Sequence, residues 1–156
     1  MSSFRYGSHL PMLIQCVAMT EGGVVEFGSG VNSTIFLHWA CQSKNRQLLT
    51  LENDREYYKQ VSKLDGGYHK VQFVEKWTDD IGKGVWSVVL IDHHPSERRV
   101  IDARRFTDSE YVILHDSNQY DYSSLIPLFK YNFEYTNTNV HTLVVSNVRN
   151  LTEFDL

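Results

Sequence analysis

Residues Val24 to Thr34, VVEFGSGVNST, place an apolar run, an acid, two glycines and a polar helix start next to one another. Val24 to Phe27 has the β-branched and aromatic content of a short strand. Gly28-Ser29-Gly30 reads as a turn, because glycine permits positive φ and lets backbone approach a ligand closely. Asn32 or Ser33 supplies an N-cap for a following helix, whose Ile35, Phe36, Trp39 and Ala40 are expected to face a sheet. Strand, turn and helix in that order begin a βαβ unit.

The segments on either side repeat the alternation. Ser8 is a candidate cap for a helix to about Thr20, with Leu10, Leu13, Ile14 and Val17 on one face and Glu21-Gly22-Gly23 as its stop. Leu48 to Leu51 predicts a second strand. Asp54 caps a helix through Tyr57, Tyr58 and Val61, and Gly66-Gly67 closes it. Val71, Phe73 and Val74 form a third strand. Trp86 to Ile91, WSVVLI, is nearly all apolar, as suits a central strand covered on both faces. Pro95 fits the first turn of a helix to about Phe106. Tyr111 to Leu114 is a further strand, and Tyr122 to Leu128 a short helix. Tyr131 to Thr136 and His141 to Val145 flank the polar turn Asn137-Thr138-Asn139, which predicts a hairpin.

Five strands separated by helices and a closing hairpin imply an α/β fold: a mostly parallel seven-stranded sheet, an antiparallel C-terminal hairpin, and helices on both faces. Ligands of such sheets bind at the carboxyl ends of the strands. That draws attention to Glu26–Gly30, Glu52, Glu75–Trp77, Asp92–His94 and His115–Asn118, polar clusters each just after a predicted strand.

The chain has 156 residues, the usual size of one domain, and no linker or repeat divides it, so residues 1–156 are read as a single domain. Hydrophobic residues make up 42% and charged residues 22%, an ordinary globular balance. The formal net charge of −4 disfavours a general nucleic-acid surface. Cys16 and Cys41 form no metal-ligand spacing and are expected to be buried thiols. No run reaches the roughly 18 apolar residues of a membrane helix. Leu10 to Met19 lacks a basic leader and a cleavage site, so a cytoplasmic location is expected.

The strand order and the V-V-E-F-G-S-G motif resemble the class I (Rossmann-like) S-adenosylmethionine-dependent methyltransferases over nearly the whole chain. The resemblance implies that Glu26, Gly28, Ser29 and Gly30 hold the amino-acid end of S-adenosylmethionine. In L-L-T-L-E-N-D it implies that Glu52, beside Asn53, accepts hydrogen bonds from the ribose hydroxyls. Trp77 becomes a candidate adenine platform. Asp92, in W-S-V-V-L-I-D-H-H, would face donor and acceptor, with His93 or His94 as general base. Asn32 stands where the family more often has glycine. With no recognition domain present, the expected acceptor is a small-molecule hydroxyl. Nucleic acid and membrane are not expected as partners, and a homo-oligomer would complete an open pocket.

Three other readings compete. Some small-molecule O-methyltransferases bind Mg2+ after strands four and five, which here singles out Asp92, Asp116 and Asn118. The I-D-H-H run also looks like the signature of DHH phosphoesterases, although no further aspartates follow the first strand. A non-catalytic S-adenosylmethionine-binding subunit working through a partner is the third. Arg98, Arg99, Arg104 and Arg105 read as a solvated helix face with local ion pairs, and Tyr120 and Tyr122 as lining of an aromatic acceptor pocket.

Overall fold

The computed structural model describes residues 7–154. Its centre is a seven-stranded sheet of β1 (Val24–Phe27), β2 (Leu48–Glu52), β3 (His69–Phe73), β4 (Val88–Ile91), β5 (Tyr111–His115), β6 (Tyr131–Tyr135) and β7 (Thr142–Ser146). The spatial order is β3-β2-β1-β4-β5-β7-β6. The first five strands run parallel, and β7 inserts antiparallel between β5 and β6. The expected sheet and hairpin are both present. The order reverses between β1 and β4, so their carboxyl ends form the topological switch point.

Successive residues of a strand face opposite sides, and this parity builds two cores. Val25, Phe27, Val89, Ile91, Val112 and Leu114 pack on one face with Ala103, Phe106 and Leu125. Val24, Leu48, Val88, Leu90, Tyr111 and Ile113 pack on the other with Met12, Leu13, Val17, Leu37 and Cys41. Helices α1 (Leu10–Ala18) and α2 (Ser33–Ser43) therefore cover the second face, and α4 (Glu97–Ala103) covers the first; α3 (Arg55–Val61) lies against β2 and β3. Cys16 and Cys41 are buried free thiols. No helix among the described residues is long and apolar enough to cross a membrane.

Several local expectations change. Asp54 caps α3 by accepting from the Glu56 and Tyr57 amides. Ser8 does not cap α1, because His9 holds the N-cap position and the Ser8 hydroxyl pairs with His115. Asn32 occupies the N-cap position of α2 without a side-chain cap bond, while Ser33 turns its hydroxyl to Glu26. The sheet-facing side of α2 is Thr34, Leu37 and Cys41. Ile35 and Trp39 point outward instead, Trp39 with 59% of its surface exposed. Ile14 is likewise exposed. Leu10, Leu13 and Val17 of α1 and Phe36 and Ala40 of α2 do pack against the core, so periodicity finds part of each stripe and adds Ile14, Ile35 and Trp39 because both short helices carry apolar residues on several sides.

Candidate ligand site at the switch point

Gly28 makes the switch point close. Its φ is +86°, and a Cβ there would lie 2.8 Å from the Asp92 carbonyl group and the His93 Cα. Both facts exclude a side chain, so the β1 turn can lie directly against the β4 end. Gly30 donates its amide to the Thr34 hydroxyl at 3.0 Å, which closes the start of α2.

Glu52 ends β2 beside this turn. One carboxylate oxygen accepts from the Ser29 amide at 2.6 Å and the Ser29 hydroxyl at 2.7 Å; the other accepts from the Asp54 amide at 2.7 Å. Asn53 is half-buried between them. The carboxylate is thus fixed by neutral donors and carries no basic partner among the described residues, an arrangement suited to accepting from a ligand diol.

Glu26 is more deeply placed than its expected role implies. It is fully buried on the α2 side of β1. It accepts from the Ser33 hydroxyl, from Thr34 at 2.8 Å and from Thr50 at 2.9 Å. Thr50 continues to His69 Nε2 at 2.9 Å, and His69 Nδ1 to His38 Nδ1 at 2.9 Å. Burial pushes the Glu26 carboxyl up to about 7, against the pull of its three hydroxyl donors. Glu26 therefore shapes the turn by tying β1 to the start of α2.

At the other end, strand parity separates the Asp92-His93-His94 run. Asp92 continues the Val88, Leu90 face and meets His115, which continues the Tyr111, Ile113 face. The Asp92 Oδ1 lies 3.1 Å from His115 Nδ1 and 3.1 Å from an Arg99 guanidinium nitrogen. Burial opposes ionisation of Asp92, but the His115 hydrogen bond and cationic neighbours including Arg99 hold it below the usual carboxylate range. His93 turns to the opposite face, 1% exposed, and bonds Asp102 at 2.9 Å. Its burial lowers its pKa against the pull of Asp102. His94 is exposed and its carbonyl accepts from Trp77. Of the two candidate bases, His93 therefore lies in the core opposite Asp92 and His94 at the surface, and among the described residues Asp92, His93 and His94 do not converge on one point.

Trp77 is likewise a core residue, 8% exposed and packed on Phe27 and His93, so it offers no free adenine platform. Of the Asp92, Asp116, Asn118 set, the two aspartates are neighbours, both against Arg99 and His115, with Asp116 2.9 Å from the guanidinium. Asn118 instead holds the Asn139 carbonyl and the His141 amide. Tyr122 is buried and donates to the His115 carbonyl, and Tyr120 lies under Arg99. Both also line an open groove of about 520 Å³ beyond β5, with Ser117, Asn132 and Glu134.

Arg99 is the residue that sequence reasoning misplaced most. It is 1% exposed and reaches the carbonyls of Asp92, His93 and His115 as well as Asp92 and Asp116. Asp102, fully buried, gathers Arg98, Arg105 and His93 in a second cluster. Only Arg104 of the four arginines keeps the expected exposed character. His9 was also missed. It is 2% exposed, beside His115 and Asp92, and burial pushes its pKa down to about 4. Parity along β4 and β5 identifies the shared face of Asp92 and His115, but nothing local marks His9 or Arg99.

No family model and no curated protein matches the chain. Solved structures do. A putative O-methyltransferase from Klebsiella pneumoniae aligns at 13% identity and a TM-score of 0.59, over 95% of this chain and 82% of that one. A methyltransferase from Pyrococcus furiosus aligns at 12% identity and 0.53, over 90% and 83%. The chain has the class I methyltransferase fold. A mutant of MtNAS, solved in complex with S-adenosylmethionine, aligns at 14% identity and 0.55, over 90% of this chain and 62% of that one. At these identities the likeness is one of fold.

Proposed function

We propose that this chain, acting as one domain, binds S-adenosylmethionine across the carboxyl ends of β1, β2 and β4 and methylates a small-molecule hydroxyl. The observation that carries the reading is Glu52. Its carboxylate is held at the end of β2, next to the Gly28–Gly30 turn, by donors that a ribose diol can supplement or replace. The fold neighbours, one of them in complex with S-adenosylmethionine, support the same ligand.

When bound, S-adenosylmethionine supplies an electrophilic methyl group on a sulfonium. The chain's contribution is positioning. Gly28 and Ser29 bring backbone against the ligand. Glu52 sets the ribose. Asp92, whose side chain is 26% exposed, orients the acceptor hydroxyl at the β4 end. His115 and Arg99 fix that carboxylate in place and keep it ionised. The Tyr120 and Tyr122 groove lies beside it for the rest of the acceptor.

Calorimetry with S-adenosylhomocysteine tests the reading. One saturable site is expected, with affinity reduced in Glu52→Ala; absence of heat from the folded parent protein overturns it. Methyl transfer to a panel of hydroxyl acceptors tests the chemistry. Binding without transfer to any of them favours the non-catalytic subunit.

A further inference from the structure

We propose that His9, Asp92 and His115 form a binding site for a divalent first-row transition metal ion. The inference goes beyond S-adenosylmethionine binding and does not depend on it. Its donor set differs from the Asp92, Asp116, Asn118 oxygens named for Mg2+.

Geometry is the first observation. One ligand atom from each of the three side chains lies within 4.8 Å of the others, so the three donors surround a common point. A tetrahedral ion with bonds near 2.1 Å needs donors about 3.4 Å apart. Asp92 Oδ1 and His115 Nδ1, at 3.1 Å, already have that spacing. The His9 and His115 rings meet edge to face with centroids 4.6 Å apart, so His9 stands beside the same pair.

The second observation is independent. His9 is 2% exposed, yet neither of its ring nitrogens has a hydrogen-bond partner. A buried imidazole in that condition forfeits the hydrogen bonds it had in water, which destabilises the fold unless another partner is supplied. A metal ion beside Asp92 and His115 supplies the missing partner. His115 is also prepared on its far side. Its Nε2 lies 2.6 Å from the Ser8 hydroxyl; in the tautomer with Nε2 protonated that contact fixes the ring, and the Nδ1 lone pair beside Asp92 is free for an ion. An outer hydrogen bond of this kind is the usual support of a metal-binding histidine.

The donor chemistry selects the ion class. Two imidazoles and one carboxylate favour zinc, iron, cobalt or nickel over magnesium. Three protein ligands leave at least one coordination position, and the Asp92 side is the open one. Arg99 contacts the same carboxylate, but Asp92 and Asp116 together carry two negative charges against it. The neighbourhood therefore does not repel a dication outright. His9 and Ser8 precede α1, whereas Asp92 and His115 end β4 and β5, so an ion here would fasten the N-terminal segment across the switch point.

The test is metal binding by the whole chain after chelator treatment. Zn2+ titration by calorimetry is expected to give one equivalent per chain, with a rise in the thermal midpoint. Co2+ is expected to give visible absorption bands of low-symmetry imidazole and carboxylate ligation. His9→Ala and the larger His9→Gln should each weaken Zn2+ by at least about a hundredfold, and Ser8→Ala by about tenfold. His38→Ala, which breaks the other histidine pair, should leave Zn2+ affinity unchanged. Absence of a stoichiometric site in the folded parent protein overturns the proposal. So does unchanged affinity in a folded His9 variant, or loss of affinity in His38→Ala. S-adenosylhomocysteine binding, measured on the same samples, separates failure of this site from failure of the cofactor reading.

Discussion

The two halves of the sheet's carboxyl edge hold their acids by opposite means. At the β1 and β2 end, Glu26 and Glu52 are surrounded by hydroxyls and amides, with no cation among the described residues in contact. At the β4 and β5 end, Asp92 and Asp116 share the guanidinium of Arg99 and the imidazole of His115. Neutral donors hold a carboxylate in place without cancelling its charge. That leaves acceptor capacity for a ligand but lets burial raise the pKa, as at Glu26. Cations keep the carboxylate ionised, as at Asp92, and bind the strand ends together. One end is thus built to receive hydrogen-bond donors, and the other to keep a fixed charge where chemistry would occur.

The largest break in this comparison should come from Arg99→Ala. Arg99 joins three strand-end carbonyls and two carboxylates from a fully desolvated position. Its removal leaves Asp92 and Asp116 facing each other without a counter-charge. Loss of one member of a buried ion pair costs about 3–5 kcal/mol. Urea unfolding is expected to show a loss of that order. A loss below about 1 kcal/mol would mean that water already screens the cluster.

The arginine also shows where the sequence stops being legible. The strands could be read because apolar content and turn chemistry are local, and β4 is buried along its length as WSVVLI implies. The Gly28 turn and Glu52 could be read because their spacing fits one strand-helix-strand passage. Arg99 could not. Its run Glu97-Arg98-Arg99 looks solvated, and only the meeting of α4 with the ends of β4 and β5 makes it central. Of the alternative bases His93 and His94, only the first is placed by alternation, which turns His93 to the layer opposite Asp92, while His94 is exposed. The same rule pairs Asp92 with His115, residues 23 positions apart. His9 needed the packing of α1 across β4 and β5, which is a tertiary fact. On α2, Phe36 and Ala40 pack against the core as their spacing predicts, whereas Ile35 and Trp39, equally apolar, point outward.

A middle-sized effect should appear as a pH dependence at the neutral end. The Glu26 carboxyl is raised from 4.5 to about 7, so the folded state holds a proton that the unfolded chain has released. Its contribution to stability is complete below pH 4.5 and is lost as pH rises through 7. His69, pushed down to about 4 by burial and by the neighbouring His38, contributes in the other sense. Its stability is present above 6.5 and is lost as pH falls toward 4. Glu26→Gln removes only the first of these. Comparing urea unfolding of parent and variant at about pH 5 and pH 8 cancels the histidine. The variant should gain on the parent by roughly 2–3 kcal/mol across that interval. An equal difference at both pH values would show that the three hydroxyls keep Glu26 ionised.

The smallest effect belongs to Glu52→Gln, and it isolates ligand binding from folding. Glutamine keeps one oxygen to accept from Ser29 or from Asp54, but it loses the charge and replaces the second acceptor with an NH2 donor. Since no cation among the described residues contacts Glu52, the change leaves none of them as an unpaired buried charge. Stability should fall by about 1 kcal/mol or less. A ribose diol donates two hydrogen bonds, and the substituted amide can accept only one while presenting a donor to the other. Loss of one charge-assisted hydrogen bond is worth about 1.5 kcal/mol, or roughly tenfold in affinity. Calorimetry with S-adenosylhomocysteine should therefore show about tenfold weaker binding with a near-parental thermal midpoint. Unchanged affinity would move the ribose away from β2, and the contrast between the two ends of the sheet would then concern stability alone.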